Sequence, residues 1–239
     1  MQKSIAYISI FLLLQLAACT EPDEDKKVWL VEKYYNQGQP CPVECSYDNE
    51  NHLLTAAICD TIETYTYFQD SVILVVTKAG TIQYQNTYFL NTKGIATGYR
   101  QYKNGLLSIV NFAYDADGIR TSIWQANDSG TYKRYTIQNK NIVAELSRSS
   151  SDNFGNFDIT SSYYKETINT LSNENFGRKF LGNSSQNLKR GETWDTYLQP
   201  DPIFVYSFKY ETDENSLVHK RVKILNGKDT AEVRYYVYR

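Results

Sequence analysis

The chain has 239 residues, a formal charge of −2 and 14% aromatic residues, with tyrosine the commonest of them at 21. That charge leaves no basic footprint for nucleic acid, and 12 Gly and 5 Pro are too few for a disordered chain. Tyrosine favours strands, where its apolar body packs and its hydroxyl stays wet.

Met1-Gln2-Lys3 is a short positive start, and Ile5 to Leu14 is apolar. This run is shorter than the ~20 residues of a membrane-crossing helix, and it fits a secretory signal peptide over residues 1–18. Leu16-Ala17-Ala18-Cys19 resembles the bacterial lipobox, which implies that Cys19 is lipidated and becomes the first mature residue. Glu21, Asp23, Glu24 and Asp25, with Pro22 among them, make residues 19–27 an acidic tether. An acidic cluster behind a lipid cysteine also resembles the export tag of Bacteroidetes lipoproteins, which implies the outer face of the outer membrane.

Residues 28–239 read as one β domain. Strands are expected at Val28–Tyr35, Leu53–Cys59, Ile62–Phe68 and Val72–Thr77. The run Val72-Ile73-Leu74-Val75-Val76 lacks alternation and predicts a strand covered on both faces. In residues 81–90, Ile82, Tyr84, Tyr88 and Leu90 fall on one face; Gln83, Gln85 and Thr87 fall on the other, with Phe89 the apolar exception. Turn signals recur about every twelve residues, at 77–80, 91–94, 103–105, 115–118, 127–130, 139–141 and 149–155. That rhythm predicts an antiparallel up-and-down meander, forming a strongly curved sheet or partly closed barrel. Three last strands turn at Asp213–Asn215 and Asn226–Lys228, and residues 173–190 interrupt the rhythm as a short helix or long loop.

Cys41, Cys45 and Cys59 follow Cys19, and His52 lies between them. The His-to-Cys gap is no standard zinc spacing, and in an oxidising envelope one disulfide is the better reading. The pairings 41–45, 41–59 and 45–59 are all open; Cys45 with Cys59 is favoured, stapling the first loop to a strand, with Cys41 the alternative. A hydrolase triad would need His52 or His219, and no nucleophile elbow is present. Asp115 to Gly118 reads as a β-turn rather than a calcium loop. No catalytic residue, metal ligand or cofactor is assigned. Trp124 and Trp194 are the candidates for an aromatic platform that stacks sugar rings.

Residues 112–124 resemble the Tyr-Asp hairpin repeat. Residues 180–194, with Gly182, Ser185, Asn187 and Leu188 in a Gly-x-x-Ser-x-Asn-Leu element, resemble a family of Bacteroidetes lipoproteins of unknown function with a porin-like fold. The resemblance implies a fold and an address and brings no catalytic residues. A membrane barrel would need an outward apolar band, and the charged and amide residues at alternate positions argue against one. The expectation is a lipid-anchored, non-catalytic binding or interaction module at the outer membrane, with a glycan or envelope protein as partner. A carrier of an apolar ligand and an unrecognised hydrolase are the alternatives.

Overall fold

The computed structural model describes residues 28–150, 156–196 and 203–239. The expected signal peptide, Cys19, the expected acidic tether and most of the 149–155 turn lie outside them. Sixteen strands form in the described residues: β1 (Val31–Asn36), β2 (Val43–Tyr47), β3 (Leu53–Ile58), β4 (Thr61–Tyr67), β5 (Ser71–Lys78), β6 (Thr81–Leu90), β7 (Ala96–Lys103) and β8 (Leu106–Tyr114), then β9 (Arg120–Gln125), β10 (Asp128–Gln138), β11 (Asn141–Arg148), β12 (Phe157–Ile168), β13 (Asn187–Thr196), β14 (Ile203–Thr212), β15 (Val218–Leu225) and β16 (Asp229–Tyr238). Each pairs antiparallel with its neighbours in sequence, and β1 pairs with β16. The expected meander therefore curves through to full closure, and the sheet has no free edge.

Alternation sets which side chains enter the barrel. On β4, Tyr65 is buried inside while Ile62 is exposed outside. On β5, Val72, Leu74 and Val76 are buried inside. Ile73 and Val75 are half-buried on the outer wall, screened only by neighbouring strands. The strand expected to be covered on both faces is thus covered on one, because no second layer packs outside it among the described residues. Ile82 is also displaced from its expected face. A register shift between Val76 and Thr77 pairs Ile82 with Thr77 on the outer wall, where Ile82 is 64% exposed. Tyr84, Asn86 and Tyr88 then face inward.

The hairpins close with two kinds of turn. Four hairpins at one end share one plan. Asp48, Asn91, Asp115 and Asp213 each accept the backbone N–H four residues on, from His52, Ile95, Ile119 and Leu217, at 2.8–3.0 Å. The residue before each of these donors has positive φ: Asn51, Gly94, Gly118 and Ser216. This is a type I turn closed by a left-handed residue, with the Asx side chain replacing a backbone acceptor. At the opposite end, connections such as Ala79–Gly80 and Asn104–Gly105 are two-residue loops with positive φ at both positions, the geometry of a type I′ turn.

Residues 169–186, between β12 and β13, fold back across the end that carries the Asx turns and plug it. No α-helix forms there; a single 3-10 turn spans Lys179–Leu181. Asn175 O accepts from Val31 N, Gly177 O from Leu53 N, and Lys140 O from Gln186 N, while Asn183 N donates to Gly118 O, all at 2.8–3.0 Å. The plug is thereby bonded to β1 and to three separate hairpins. Phe180 is its apolar knob. It is 5% exposed and packs against Tyr65, Tyr67 and Tyr88, burial that stabilises by roughly 2–3 kcal/mol. Around it lies the main core, built from β2–β9. A second cluster, Val31, Leu188, Val218 and Tyr236, lies nearer the joint of the first and last strands.

Candidate functional site

The β10–β16 side of the lumen is filled differently. A cavity of about 530 Å³ lies there between wall and plug, and its lining includes charged side chains as well as rings. Three carboxylates organise it. Glu192, 7% exposed, accepts from Lys189 at 2.8 Å and lies 3.2 Å from Lys223. Burial alone would raise its pKa, but Lys189 and Lys223 outweigh that and hold the carboxyl below its ordinary value. Glu232 pairs with Arg221 and, at 3.2 Å, with Arg234. Glu145 accepts from Lys133 at 2.8 Å and adds to the burial that pushes Tyr135 up to about 12.

Arg120 completes the set without an ion-pair partner among the described residues. Its Nη2 donates to Leu181 O of the plug at 3.1 Å, and its guanidinium lies 4.3 Å from the Phe112 ring centroid. Its Nε is buried and meets no acceptor among the described residues.

An aromatic row borders the charged chamber. Phe157 stacks on Trp194 at 5.1 Å, Trp194 meets Tyr206 edge-on at 6.3 Å, and Tyr206 stacks on Phe204 at 6.4 Å. Lys223 Nζ sits 3.7 Å from the Tyr206 centroid, which joins the row to the Glu192 cluster. Lys133 lies 5.2 Å from the Phe157 ring.

The two expected platform residues are therefore not one platform. Trp194 points into the lumen beside Tyr206. Trp124 lies on the outer wall, 39% exposed, opposite Asn111 and Tyr132. Trp194 shares the inward face of β13 with Glu192, and its ring partners are Phe157 and Tyr206 instead. Periodicity alone carried no signal for Arg120, Glu192 or Lys223, because a charged side chain at an alternate strand position reads as solvent-facing.

The favoured disulfide is also corrected. Cys41 bonds Cys59, with Cα atoms 5.5 Å apart, and Cys45 is the free thiol. Cys45 is not in a loop. It belongs to β2, opposite Ala56, with its side chain turned into the core, whereas Cys41 and Cys59 both lie in connections at the end of the barrel away from the plug. Burial pushes the Cys45 thiol up. His52 stacks on Tyr67 at 4.6 Å and holds Asp48 at 3.0 Å through Nδ1. His219 lies 3.6 Å from Glu211.

The Gly-x-x-Ser-x-Asn-Leu element ties the end of the plug to the wall. Gly182 adopts φ 79° and ψ −175°, a region open only to glycine, and a Cβ there would lie 2.5 Å from the Tyr114 ring. Ser185 Oγ accepts from Ile142 N at 3.0 Å. Asn187 and Asn141 exchange two hydrogen bonds at 2.9 Å, and Leu188 is buried.

No protein-family model matches the chain, and no curated protein sequence matches it. Solved structures do. A crystal structure of a porin-like protein from Bacteroides uniformis superposes with a TM-score of 0.66 at 14% identity, over 89% of this chain and 97% of that one. A porin-like protein from Bacteroides vulgatus gives 0.60 at 10% identity, over 88% and 98%. At such identities the likeness is one of architecture: the chain has the closed antiparallel barrel of porin-like proteins.

Proposed function

We propose that this protein is a lipid-anchored, non-catalytic binding barrel of the outer membrane surface, held to the membrane through Cys19, with its lumen as the ligand-binding part. The observation that carries this reading is the asymmetry of the barrel. The plug seals the end at which β1 begins, so an anchor preceding β1 turns the sealed end toward the membrane. The aromatic row lies toward the opposite end, and the polar chamber reaches inward from the plug.

The outer wall supports a barrel that stands in water. Arg100, Arg134 and Lys209 are exposed near the middle of β7, β10 and β14, where a membrane barrel would carry its apolar band. The lumen supports a polar ligand. Its charged lining is unsuited to the apolar ligand of a carrier, since burying unpaired charge against hydrocarbon is unfavourable by several kcal/mol. Rings beside charged and amide groups suit a glycan.

The test is fractionation with Cys19→Ser and proteolysis of intact cells. The reading expects a membrane-bound protein that incorporates labelled palmitate, is digested from outside, and is released by Cys19→Ser. Retention of the variant in the membrane after a carbonate wash would overturn the anchor and favour insertion of the wall itself.

A further inference from the structure

Glu192 faces two lysines, Glu232 faces two arginines, Glu145 faces one lysine, and Arg120 faces none among the described residues. The cavity itself is lined by four cations, Arg120, Lys189, Arg221 and Lys223, against the three carboxylates Glu145, Glu192 and Glu232, so positive charge is in excess by one inside a protein whose overall charge is −2. An excess of positive charge in a low-dielectric lumen is stabilised by a bound anion far more than the same charge on an outer surface. The buried Nε of Arg120 is a donor without an acceptor, which is unfavourable until a ligand supplies one.

The anion is not a bare one. Tyr135, Tyr163 and Tyr210 present rings to the same cavity as Arg120 and Lys223, and Lys223 also bonds the Glu192 cluster. A cavity of about 530 Å³ is also far larger than a small inorganic ion requires, and lies within the about 300–1,000 Å³ of small-molecule sites. From this combination we infer that the lumen binds an acidic saccharide, its sugars packed against the tyrosine rings of the cavity and its anionic groups drawn to the Arg120 and Lys223 side chains that line it. This rests on the reading of the barrel as a glycan-binding module and adds the charge requirement to it.

The experiment is titration calorimetry on the detergent-solubilised full-length protein with tri-galacturonate, maltotriose and sodium sulfate. Tri-galacturonate should bind, with an affinity that falls as salt is raised from low to physiological strength. Maltotriose should bind at least about tenfold more weakly, and sulfate alone should give no heat. Arg120→Gln and Lys223→Gln should each weaken tri-galacturonate about tenfold, the loss of one charge-assisted hydrogen bond. Melting curves establish that each variant is folded; if Arg120→Gln does not fold, Lys223→Gln carries the same test from the opposite wall. Equal binding of both sugars, or variants with unchanged affinity, would overturn the charge requirement and leave the glycan reading standing. No binding of either sugar would overturn both. Binding of sulfate as tightly as tri-galacturonate would overturn the saccharide.

Discussion

Arg178 and Glu63, 115 residues apart in sequence, meet inside the barrel at 2.9 Å. The arginine belongs to the plug and the carboxylate to β4, so the pair fastens one to the other. Tyr65 supports both: its hydroxyl donates to Glu63 at 2.7 Å, and its ring lies 5.4 Å from the guanidinium. Arg178→Ala leaves Glu63 partly buried without its cation and should destabilise by about 2–4 kcal/mol. Glu63→Gln, which keeps a hydrogen-bond acceptor, should be milder. Urea unfolding of both variants and of the double variant measures the coupling; additive effects would show that the pair does not hold the plug.

Phe180→Ala should remove about 3–5 kcal/mol, since the knob is enclosed by three tyrosine rings and the plug cannot collapse around the gap. Gly182→Ala should also destabilise, by about 1–3 kcal/mol from backbone strain and more from contact with the Tyr114 ring. Hydrogen exchange would locate the damage: residues 169–186 should lose protection before the strands do.

Joint replacement of Cys41 and Cys59 by serine should lower stability by about 3 kcal/mol, the effect expected for closing a loop of this length, 18 residues. Cys45→Ala should leave the bridge intact. In the native protein Cys45 should resist iodoacetamide at neutral pH, because burial raises its thiol pKa and limits access. Peptide mapping reads both results, and rapid native labelling would contradict the placement of Cys45 inside the wall.

Glu192 has a folded pKa held below the unfolded value of about 4.3. Its contribution to stability is present above that unfolded value and is lost as pH falls through the lower, folded one. Stability should therefore decline on the acid side of about pH 4.3. Glu192→Gln should flatten that limb while lowering stability at neutral pH, where Lys189 and Lys223 lose their shared carboxylate. An acid limb identical to that of the unaltered protein would refute the assignment.

The meander was legible because its turns are chemical. Asp115 to Gly118 and Asn104–Gly105 announce themselves by residues that accept positive φ or cap their own turn. The plug was not legible, since its position depends on contacts such as Asn175 with Trp29 and Arg178 with Glu63, which local pattern does not encode. Sidedness failed wherever a bulge inserted a residue: Ile82 changed faces through one register shift. The chamber was hidden for a different reason. Alternation separates two faces without saying which is wet, and on β13 and β15 the lumen itself takes the charged residues.

Closure has a consequence for how the chain is made. β1 bonds to β16, whose Tyr236 lies opposite Tyr34 some two hundred positions earlier. The first strand must wait, with one ladder unpaired, until the last has been delivered. Each hairpin between them can form locally and fast, but the seam is a single long-range event that no earlier pairing can replace. Folding should thus end at the seam, and a chaperone that shields β1 during the wait would protect against pairing with a second chain.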